Sequence, residues 1–295
     1  MITNVHRPVV VALLVGLLES VGATTTPETL IVRGNRLFLP VSINGVAAEA
    51  VLDSAAEMTI VDSALAGKLR LKLTGDEAIK GSGGETRTRF ANNVRLAAAG
   101  LTLPDLSVAV IDLSDLSKRL VGSHVELILG REFFDAGRWL IDIDGGSIHL
   151  ADSADRPPGQ RYALTSARGI ESLPVKVEGV SAQADVDLGN GSEVLIGKSF
   201  AEQHGLLKPE RIIEQKTGGG LGGKVDRQII VLQTLEVGGV TFDNVRAAID
   251  TQDSAGEVNL GPGILRRFGL LIDFSQHAIW LEPRRDQAKK QTPHP

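Results

Sequence analysis

Two aspartates occupy equivalent places in a duplicated stretch of the sequence. Asp53 ends the apolar run that follows Leu39-Pro-Val-Ser-Ile-Asn-Gly-Val46, and Asp187 ends the run that follows Leu173-Pro-Val-Lys-Val-Glu-Gly-Val180. The offset is 134 residues both from 39 to 173 and from 53 to 187. Two carboxylates held close together cannot both ionise easily, so such a pair shares one proton and provides an acid and a base at one pH. With a water between them, the pair would catalyse hydrolysis without a metal or a covalent nucleophile.

Either aspartate alone could merely close its strand in an Asx turn, and the recurrence at equivalent positions favours the paired interpretation. Short apolar or alternating runs between Gly, Asn and Asp turns predict mostly strands, as at Leu37 to Ile43 and Ala47 to Leu52. Helical patterns are few, and the best candidates are Ser63 to Leu69, Arg131 to Ala136, Lys198 to His204 and Ile264 to Phe268.

The repeat continues to the end of each half. Gly100 to Leu106 resembles Gly239 to Val245, and Ile128-Leu-Gly130 with Leu140-Ile-Asp142 resembles Asn259-Leu-Gly261 with Leu271-Ile-Asp273. Two units of this length predict an all-β chain of two lobes related by a pseudo-two-fold axis. We place the first lobe at residues 24–150, a polar linker with two prolines at 151–165, the second lobe at 166–283 and a polar tail at 284–295.

Composition and the N-terminal pattern limit the possible partners and the cellular location of the protein. The formal net charge of −5 argues against nucleic acid or an anionic membrane as the main partner, and the absence of cysteine excludes disulfides and thiol chemistry. At the N-terminus, His6-Arg7 precedes an apolar run from Val9 to Leu18 that is too short to span a bilayer. Small residues at Val21-Gly-Ala23 complete the pattern of a secretory signal peptide over residues 1–23. We therefore expect an exported protein, periplasmic or secreted; an uncleaved tether is the alternative.

The segment Ala50-Val-Leu-Asp53-Ser-Ala-Ala-Glu-Met-Thr-Ile-Val61 resembles the active-site strand and loop of the retropepsin-like aspartic proteases, and residues 185–196 resemble a second copy. The resemblance extends to the apolar-apolar-Gly elements that end at Gly130 and Gly261, and it spans most of residues 35 to 283. It implies two tandem retropepsin-like β-barrel lobes, with Asp53 and Asp187 as the catalytic dyad.

The two loops depart from the family pattern of Asp-Thr/Ser-Gly. Ser54 keeps the hydroxyl in the first loop, but Ala55 replaces the glycine and is expected to narrow the pocket at the dyad. In the second loop Gly189 is kept, but Leu188 replaces the hydroxyl residue, so half of the hydrogen bonds that brace paired loops cannot form. Misplaced carboxylates lower rates by orders of magnitude, so these changes make weakened or lost activity the alternative to an active protease.

Glycine-rich segments follow each loop where the family has a flap over the substrate. The first contains Gly81, Ser82, Gly83 and Gly84, and the second contains Gly218, Gly219 and Gly220. Glycine permits the backbone excursions of a moving flap tip, although each segment could also be an ordinary turn. Neither has the aromatic flap residue of pepsin-like enzymes, so substrate contacts would be made mostly by the backbone.

Other motifs in the sequence give weaker evidence about function. Gly81-Ser-Gly-Gly84 resembles a serine protease loop, but a triad in that order needs an upstream histidine, and His6 lies in the signal segment. Gly218, Gly220 and Gly223 fit a dinucleotide-binding pattern, yet the residues after them predict a strand rather than a helix. The histidines show no ligand spacing, and no metal or cofactor is expected. Trp139 and Trp280 are expected in the core.

The sequence thus predicts a monomeric aspartic endopeptidase whose substrate is an extended peptide or protein chain, with no nucleic-acid partner and no membrane span after signal cleavage. The rival interpretation is a peptide-binding or scaffold protein that keeps the fold without the activity.

Overall fold

The computed structural model describes residues 26–152, 155–167, 169–251 and 256–284. The expected signal peptide at 1–23 and all but the first residue of the expected tail at 284–295 lie outside these ranges. In the described part of the chain, no helix is long and apolar enough to cross a membrane.

The first half consists of eleven strands, β1 to β11, which are Glu28–Thr29, Ile31–Arg33, Arg36–Ile43, Val46–Leu52, Ile60–Asp62, Thr74–Gly81, Gly84–Ala98, Leu101–Ile111, Leu127–Leu129, Trp139–Asp142 and Ser147–Leu150. The second half continues with β12 to β22, which are Gln160–Ala163, Thr165–Ala167, Ile170–Val177, Val180–Val186, Val194–Gly197, Glu214–Gly220, Gly223–Val237, Val240–Asp250, Val258–Leu260, Phe268–Asp273 and Ala278–Pro283.

The helices are short. The α-helices α1 to α5 are Ser63–Lys68, Ser114–Leu116, Arg131–Asp135, Lys198–Gln203 and Pro262–Leu265. A π-helical turn covers Ser117–Val121, and 3₁₀ turns cover Pro209–Arg211 and Phe274–Gln276. Three of the four expected helices are confirmed. The fourth, expected over Ile264 to Phe268, instead begins at Pro262, and Phe268 starts β21. Proline suits the first position of a helix, since its missing N–H would have no partner there.

The two lobes have the same sheet topology. The first is an eight-stranded sheet in the order β2-β3-β4-β9-β5-β8-β7-β6, and the second repeats it as β13-β14-β15-β20-β16-β19-β18-β17. The opening hairpins also match, because Asn44 and Gly45 have φ values of 50° and 81° while Glu178 and Gly179 have 49° and 82°. Two successive positive φ values mark the tight turn that suits the twist of a hairpin. The duplication in sequence is therefore a duplication in structure.

A third sheet joins the lobes, in the order β1-β11-β10-β21-β22-β12. At its centre β10 pairs antiparallel with β21, so that Trp139 faces Ile272 and Ile141 faces Leu270. The segment expected as linker contributes β12, which pairs with β22 at the edge of this sheet. One apolar cluster runs through both lobes and this sheet. Trp139 is fully buried and stacks on Phe133, whereas Trp280 is only half-buried.

Candidate active site

Asp53 and Asp187 follow directly after the equivalent strands β4 and β15. Each strand runs parallel to a short buried strand, β9 or β20. The backbone N–H of Asp53 donates to Leu129 O at 3.0 Å, and that of Asp187 donates to Leu260 O at 3.0 Å. These bonds fix both aspartates at the ends of buried strands, so the framework places them in equivalent positions of the two lobes.

Backbone donors hold one oxygen of each carboxylate. Ala55 N and Ala56 N both donate to Asp53 Oδ1 at 3.0 Å. In the second loop, Gly189 N and Asn190 N donate to Asp187 Oδ1 at 2.9 and 3.0 Å. Such bonds favour the ionised form and fix the side-chain rotamer, so both carboxyl groups are oriented before any substrate binds.

The two loops face each other across the lobe interface. A Cβ atom added at Gly189 would lie 2.5 Å from Asp53 Oδ2, so the second loop packs its backbone directly against the Asp53 carboxyl. Only glycine fits this approach. The equivalent residue of the first loop is Ala55, and the narrowing expected from its methyl group stays a prediction.

The carboxyl groups influence each other electrostatically. Desolvation and the charge of Asp187 raise the pKa of Asp53 to about 7, against the opposing effect of the N–H groups of Ala55 and Ala56 and of the Arg36 charge. Desolvation also raises the pKa of Asp187, and hydrogen bonds from Asn259 and the loop backbone oppose it. A buried pair of acids with raised pKa values is the arrangement required for combined acid and base catalysis.

Ser54 braces the two loops from one side. Its buried hydroxyl donates to Val186 O at 2.7 Å and accepts from Leu188 N at 3.0 Å. Leu188, at the equivalent position of the second loop, is fully buried and belongs to the apolar core. The dyad is thus held by one serine hydroxyl, and the leucine contributes apolar packing in place of the second brace.

A side-chain donor at Asp187 was missed from the sequence. Asn259 Nδ2 donates to Asp187 Oδ2 at 2.8 Å, and Asn190 Nδ2 donates to Asn259 Oδ1 at 2.8 Å. The available signal was Asn259 itself, a polar residue in a buried strand where the first repeat has Ile128.

Arg36 is a second residue that sequence reasoning missed. It is half-buried and donates from Nη1 to Leu120 O at 2.7 Å. Desolvation lowers the pKa of Arg36 below its ordinary value, while the charges of Asp187 and Asp53 act to raise it. A guanidinium therefore contributes positive potential at the dyad, and nothing in the local sequence pattern marked it.

Comparison with known proteins adds to this geometry. A family model described as aspartyl protease matches residues 39–133 and 173–264, together more than half of the 295 residues. The chain belongs to the aspartyl protease family. Among solved structures, a retropepsin-like aspartic protease from Rickettsia conorii is 21% identical, with 41% of this chain and 87% of that chain covered and a TM-score of 0.33. A search of curated proteins finds no match.

Each matched segment contains one of the two aspartates, so the family pattern occurs once in each lobe. Together with the repeated sheet topology, this confirms the expected fold of two tandem retropepsin-like lobes. The single-chain arrangement also lets the two halves of an aspartyl protease site differ in sequence.

The segments expected to be the flaps of this aspartyl protease fold are hairpin tips. Gly81 ends β6, Ser82 and Gly83 form the turn, and Gly84 begins β7. In the second lobe, Gly218, Gly219 and Gly220 end β17, and the turn itself is Leu221 and Gly222. The flap role stays a prediction, but both glycine-rich segments lie at the tips of long hairpins.

The two tips contact each other. Gly83 N donates to Leu221 O at 2.8 Å, and a Cβ atom at Gly83 would lie 2.5 Å from Gly223 N. Arg119 Nη2 donates to Gly220 O at 3.0 Å, and Leu221 packs against the first-lobe apolar cluster that also contacts Ala56 beside Asp53. The tips are therefore closed on each other, with Leu221 anchored in the first lobe.

Within the described residues, no three His, Asp or Glu side chains are grouped so as to hold a metal ion. In the same part of the chain, the groups that donate hydrogen bonds to the two carboxylates are four backbone N–H groups and the Asn259 amide.

Proposed function

We propose that this chain is an aspartic endopeptidase that hydrolyses peptide bonds with a water activated by Asp53 and Asp187. The observation that carries the proposal is the matched pair of loops, in which each carboxylate accepts two backbone N–H bonds. Membership of the aspartyl protease family supports it.

The chemistry needs one carboxylate and one carboxylic acid. The carboxylate takes a proton from water as the water oxygen bonds to the peptide carbonyl carbon, and the acid gives its proton to the carbonyl oxygen. The resulting gem-diol then breaks its C–N bond: the newly protonated carboxyl gives its proton to the nitrogen, the other carboxylate takes a proton from a gem-diol hydroxyl, and the products are a carboxylic acid and an amine. The dyad returns to its singly protonated state.

The substrate we propose is an extended peptide lying between the dyad and the hairpin tips. Glycine-rich tips offer backbone N–H and C=O groups, which recognise an extended chain in the manner of strand addition. Both lobes belong to one chain, so we propose a monomer without a cofactor. The net charge of −5 is consistent with a partner other than nucleic acid.

A second candidate function is peptide binding without catalysis. Leu188 favours it, because the brace between the loops is made from one side only.

Substitution of each aspartate tests the proposal. Asp53→Asn and Asp187→Asn preserve the volume and remove the shared proton, so cleavage of a fluorogenic peptide library should fall on the order of 10³-fold or more. Asp243→Asn, at an exposed position of β19, is the control for charge and should leave cleavage unchanged. If the wild-type protein cleaves no library member from about pH 3 to 7, yet binds peptides with or without Asp187, the binding function replaces the proposal.

We further propose that the protein is exported, on the strength of the signal-peptide pattern at residues 1–23. N-terminal sequencing of the mature protein should begin near Thr24. Recovery of Met1 from a cytoplasmic fraction would contradict export.

A further inference from the structure

The amide orientation of Asn259 is fixed by contacts that lead back to the backbone. Asn190 Oδ1 accepts from Ser192 N at 2.9 Å, and Asn190 Nδ2 donates to Glu193 O at 3.2 Å. These partners can only donate and only accept, respectively, so the Asn190 amide has one orientation. Its Nδ2 therefore faces Asn259 Oδ1, which turns Asn259 Nδ2 toward Asp187 Oδ2.

The first lobe has no counterpart to this chain of amides. Ala56 stands where the second loop has Asn190, and Ile128 stands where β20 has Asn259. Ile128 is a buried member of the first-lobe apolar cluster, and Ala56 packs against that cluster. Within the described ranges, no group donates a hydrogen bond to Asp53 Oδ2, against which Gly189 packs.

The donors are thus unequal at the two carboxyl groups. Asp187 accepts two backbone N–H bonds at Oδ1 and one amide N–H bond at Oδ2, so every oxygen faces a donor. Asp53 accepts at Oδ1 alone, which leaves Oδ2 free to carry a proton. Hydrogen bonds donated to a carboxylate stabilise its ionised form, so the first proton to leave the pair should leave Asp187.

The neighbouring charges do not reverse this order. Arg36 lowers the pKa of Asp53, but by less than desolvation and the charge of Asp187 raise it, and of the two carboxyls Asp187 has the larger effect on the Arg36 pKa. Asp185 raises the pKa of Asp187, but its influence is smaller than that of the hydrogen bond from Asn259, which lowers the pKa. The charged groups with the largest effects are Asp187 and Arg36 at the Asp53 carboxyl and Asp185 at the Asp187 carboxyl.

We propose that Asn259 is a positioning residue that keeps Asp187 ionised and leaves the shared proton on Asp53 Oδ2. The assignment of catalytic roles rests on the proposed protease function: Asp187 takes the proton from water, and Asp53 protonates the carbonyl oxygen. The two acids are thereby distinguished by a residue outside both catalytic loops.

Carboxyl-carbon NMR titration tests the proposal without any need for activity. In protein labelled with ¹³C-aspartate, and with signals assigned through Asp53→Asn and Asp187→Asn, the lower ionisation should shift mainly the Asp187 signal and the upper one mainly the Asp53 signal. Asn259→Leu keeps the side-chain size and removes the donor, so the lower ionisation should rise by about one to two pH units and spread over both signals. Ile128→Leu, at the equivalent position, should change neither step.

A cleavage assay gives the second readout, because the acid limb of kcat/KM should move up by the same shift in Asn259→Leu. If that variant does not fold, Asn190→Ala removes the bond that orients the Asn259 amide and should shift the titration in the same direction by a smaller amount. A folded variant with an unchanged titration overturns the proposal. The two proposals can fail independently. An inactive wild type with the expected titration order supports this inference and contradicts the protease function. An active enzyme whose titration is unchanged by Asn259→Leu supports the protease function and contradicts this inference.

Discussion

The two loops that carry Asp53 and Asp187 have similar backbone hydrogen bonding and different side chains. Their N–H bonds to Oδ1 agree within 0.1 Å, at 3.0 and 3.0 Å in the first loop and 2.9 and 3.0 Å in the second. The three residues after each aspartate nonetheless differ at every position, as Ser54-Ala-Ala56 against Leu188-Gly-Asn190. The backbone therefore holds both carboxylates in the same way, while the side-chain contacts differ between the two lobes.

At each position where the loops or tips differ, a residue in one lobe makes a contact that the equivalent residue in the other lobe does not make. Ser54 provides the brace that Leu188 lacks, and Gly189 provides the close backbone approach to Asp53. At the tips, Ser82 in one hairpin corresponds to Leu221 in the other, and Leu221 packs against the opposite lobe. A duplicated chain can assign such roles separately, because its two halves mutate independently.

The largest expected effect comes from removing the single brace. Ser54→Ala leaves Val186 O and Leu188 N buried without their hydroxyl partner. Each unpaired buried group costs about 1–3 kcal/mol, so urea denaturation should show a loss of roughly 2–6 kcal/mol for the two groups. Displacement of the loops should lower kcat by on the order of 10²-fold.

Ser54→Thr keeps the hydroxyl and is the matched control, with a small effect on both measurements. If Ser54→Ala retained wild-type stability and activity, the brace would have no role in holding the dyad.

The next prediction concerns pH and stability. Because the pKa of Asp53 is raised to about 7 in the folded protein, the folded state binds a proton more tightly than the unfolded chain. That stabilisation is complete below about pH 4, the ordinary range of an aspartate, and is lost as the pH rises through 7. An asparagine at position 53 cannot ionise, so Asp53→Asn does not lose this stabilisation. The free energy of unfolding of the variant, relative to wild type, should therefore increase by about 2 kcal/mol between pH 5 and 7.

Urea denaturation at several pH values measures this difference. Asp243→Asn should follow the wild-type profile, since Asp243 is exposed. A difference between Asp53→Asn and wild type that does not vary with pH would contradict the raised pKa.

Much of the fold around the two aspartates was predictable from local sequence pattern. The repeat placed the two aspartates after equivalent strands, and the local pattern indicated both opening hairpins and three of the five α-helices, because strand alternation and turn residues act over a few positions. The pairing of β10 with β21 was not predictable, since each strand also belongs to an ordinary hairpin and the pattern of a hairpin does not name its outer neighbour.

The unpredicted parts of the site depend on contacts between distant segments. Arg36 comes close to the dyad only in the folded chain. The role of Asn259 depends on its hydrogen bonds with Asn190 and Asp187, which the sequence does not show. The repeat alignment nonetheless contained a usable signal: a buried strand position that is isoleucine in one copy and asparagine in the other. Polar residues at apolar positions of a duplicated core mark places where the two copies have diverged in role.

Restoring a hydroxyl at position 188 tests whether the missing second brace limits the rate. Leu188→Thr places a hydroxyl where the family has one, at the cost of apolar burial in the core. If loose geometry limits the rate, kcat should rise by up to about tenfold even though the free energy of unfolding falls by about 1–2 kcal/mol. Leu188→Val, which lacks the hydroxyl, should lose stability without any gain in rate. An equal loss of rate in both variants would show that the apolar packing of Leu188 matters more than a second brace.

The smallest effect is expected at the hairpin tips. Gly83 has no positive φ, so Gly83→Ala introduces no backbone strain and acts through its methyl group alone, which would lie 2.5 Å from Gly223 N. The tips must move apart, which breaks the bond from Gly83 N to Leu221 O. Amide hydrogen exchange should then become faster by about tenfold at the tip residues and remain unchanged elsewhere, because local opening exposes only those amides.

Gly67→Ala, where a methyl group meets no atom within 4 Å, is the matched control and should leave exchange at the tips unaltered. For a protease whose closed tips resist substrate entry, Gly83→Ala should change KM by less than about tenfold and leave kcat nearly constant, since the dyad itself is untouched. A large loss of kcat would mean that the tip backbone takes part in the chemical step. In that case the two hairpins, despite their different turn residues, would act as one closed unit over Asp53 and Asp187.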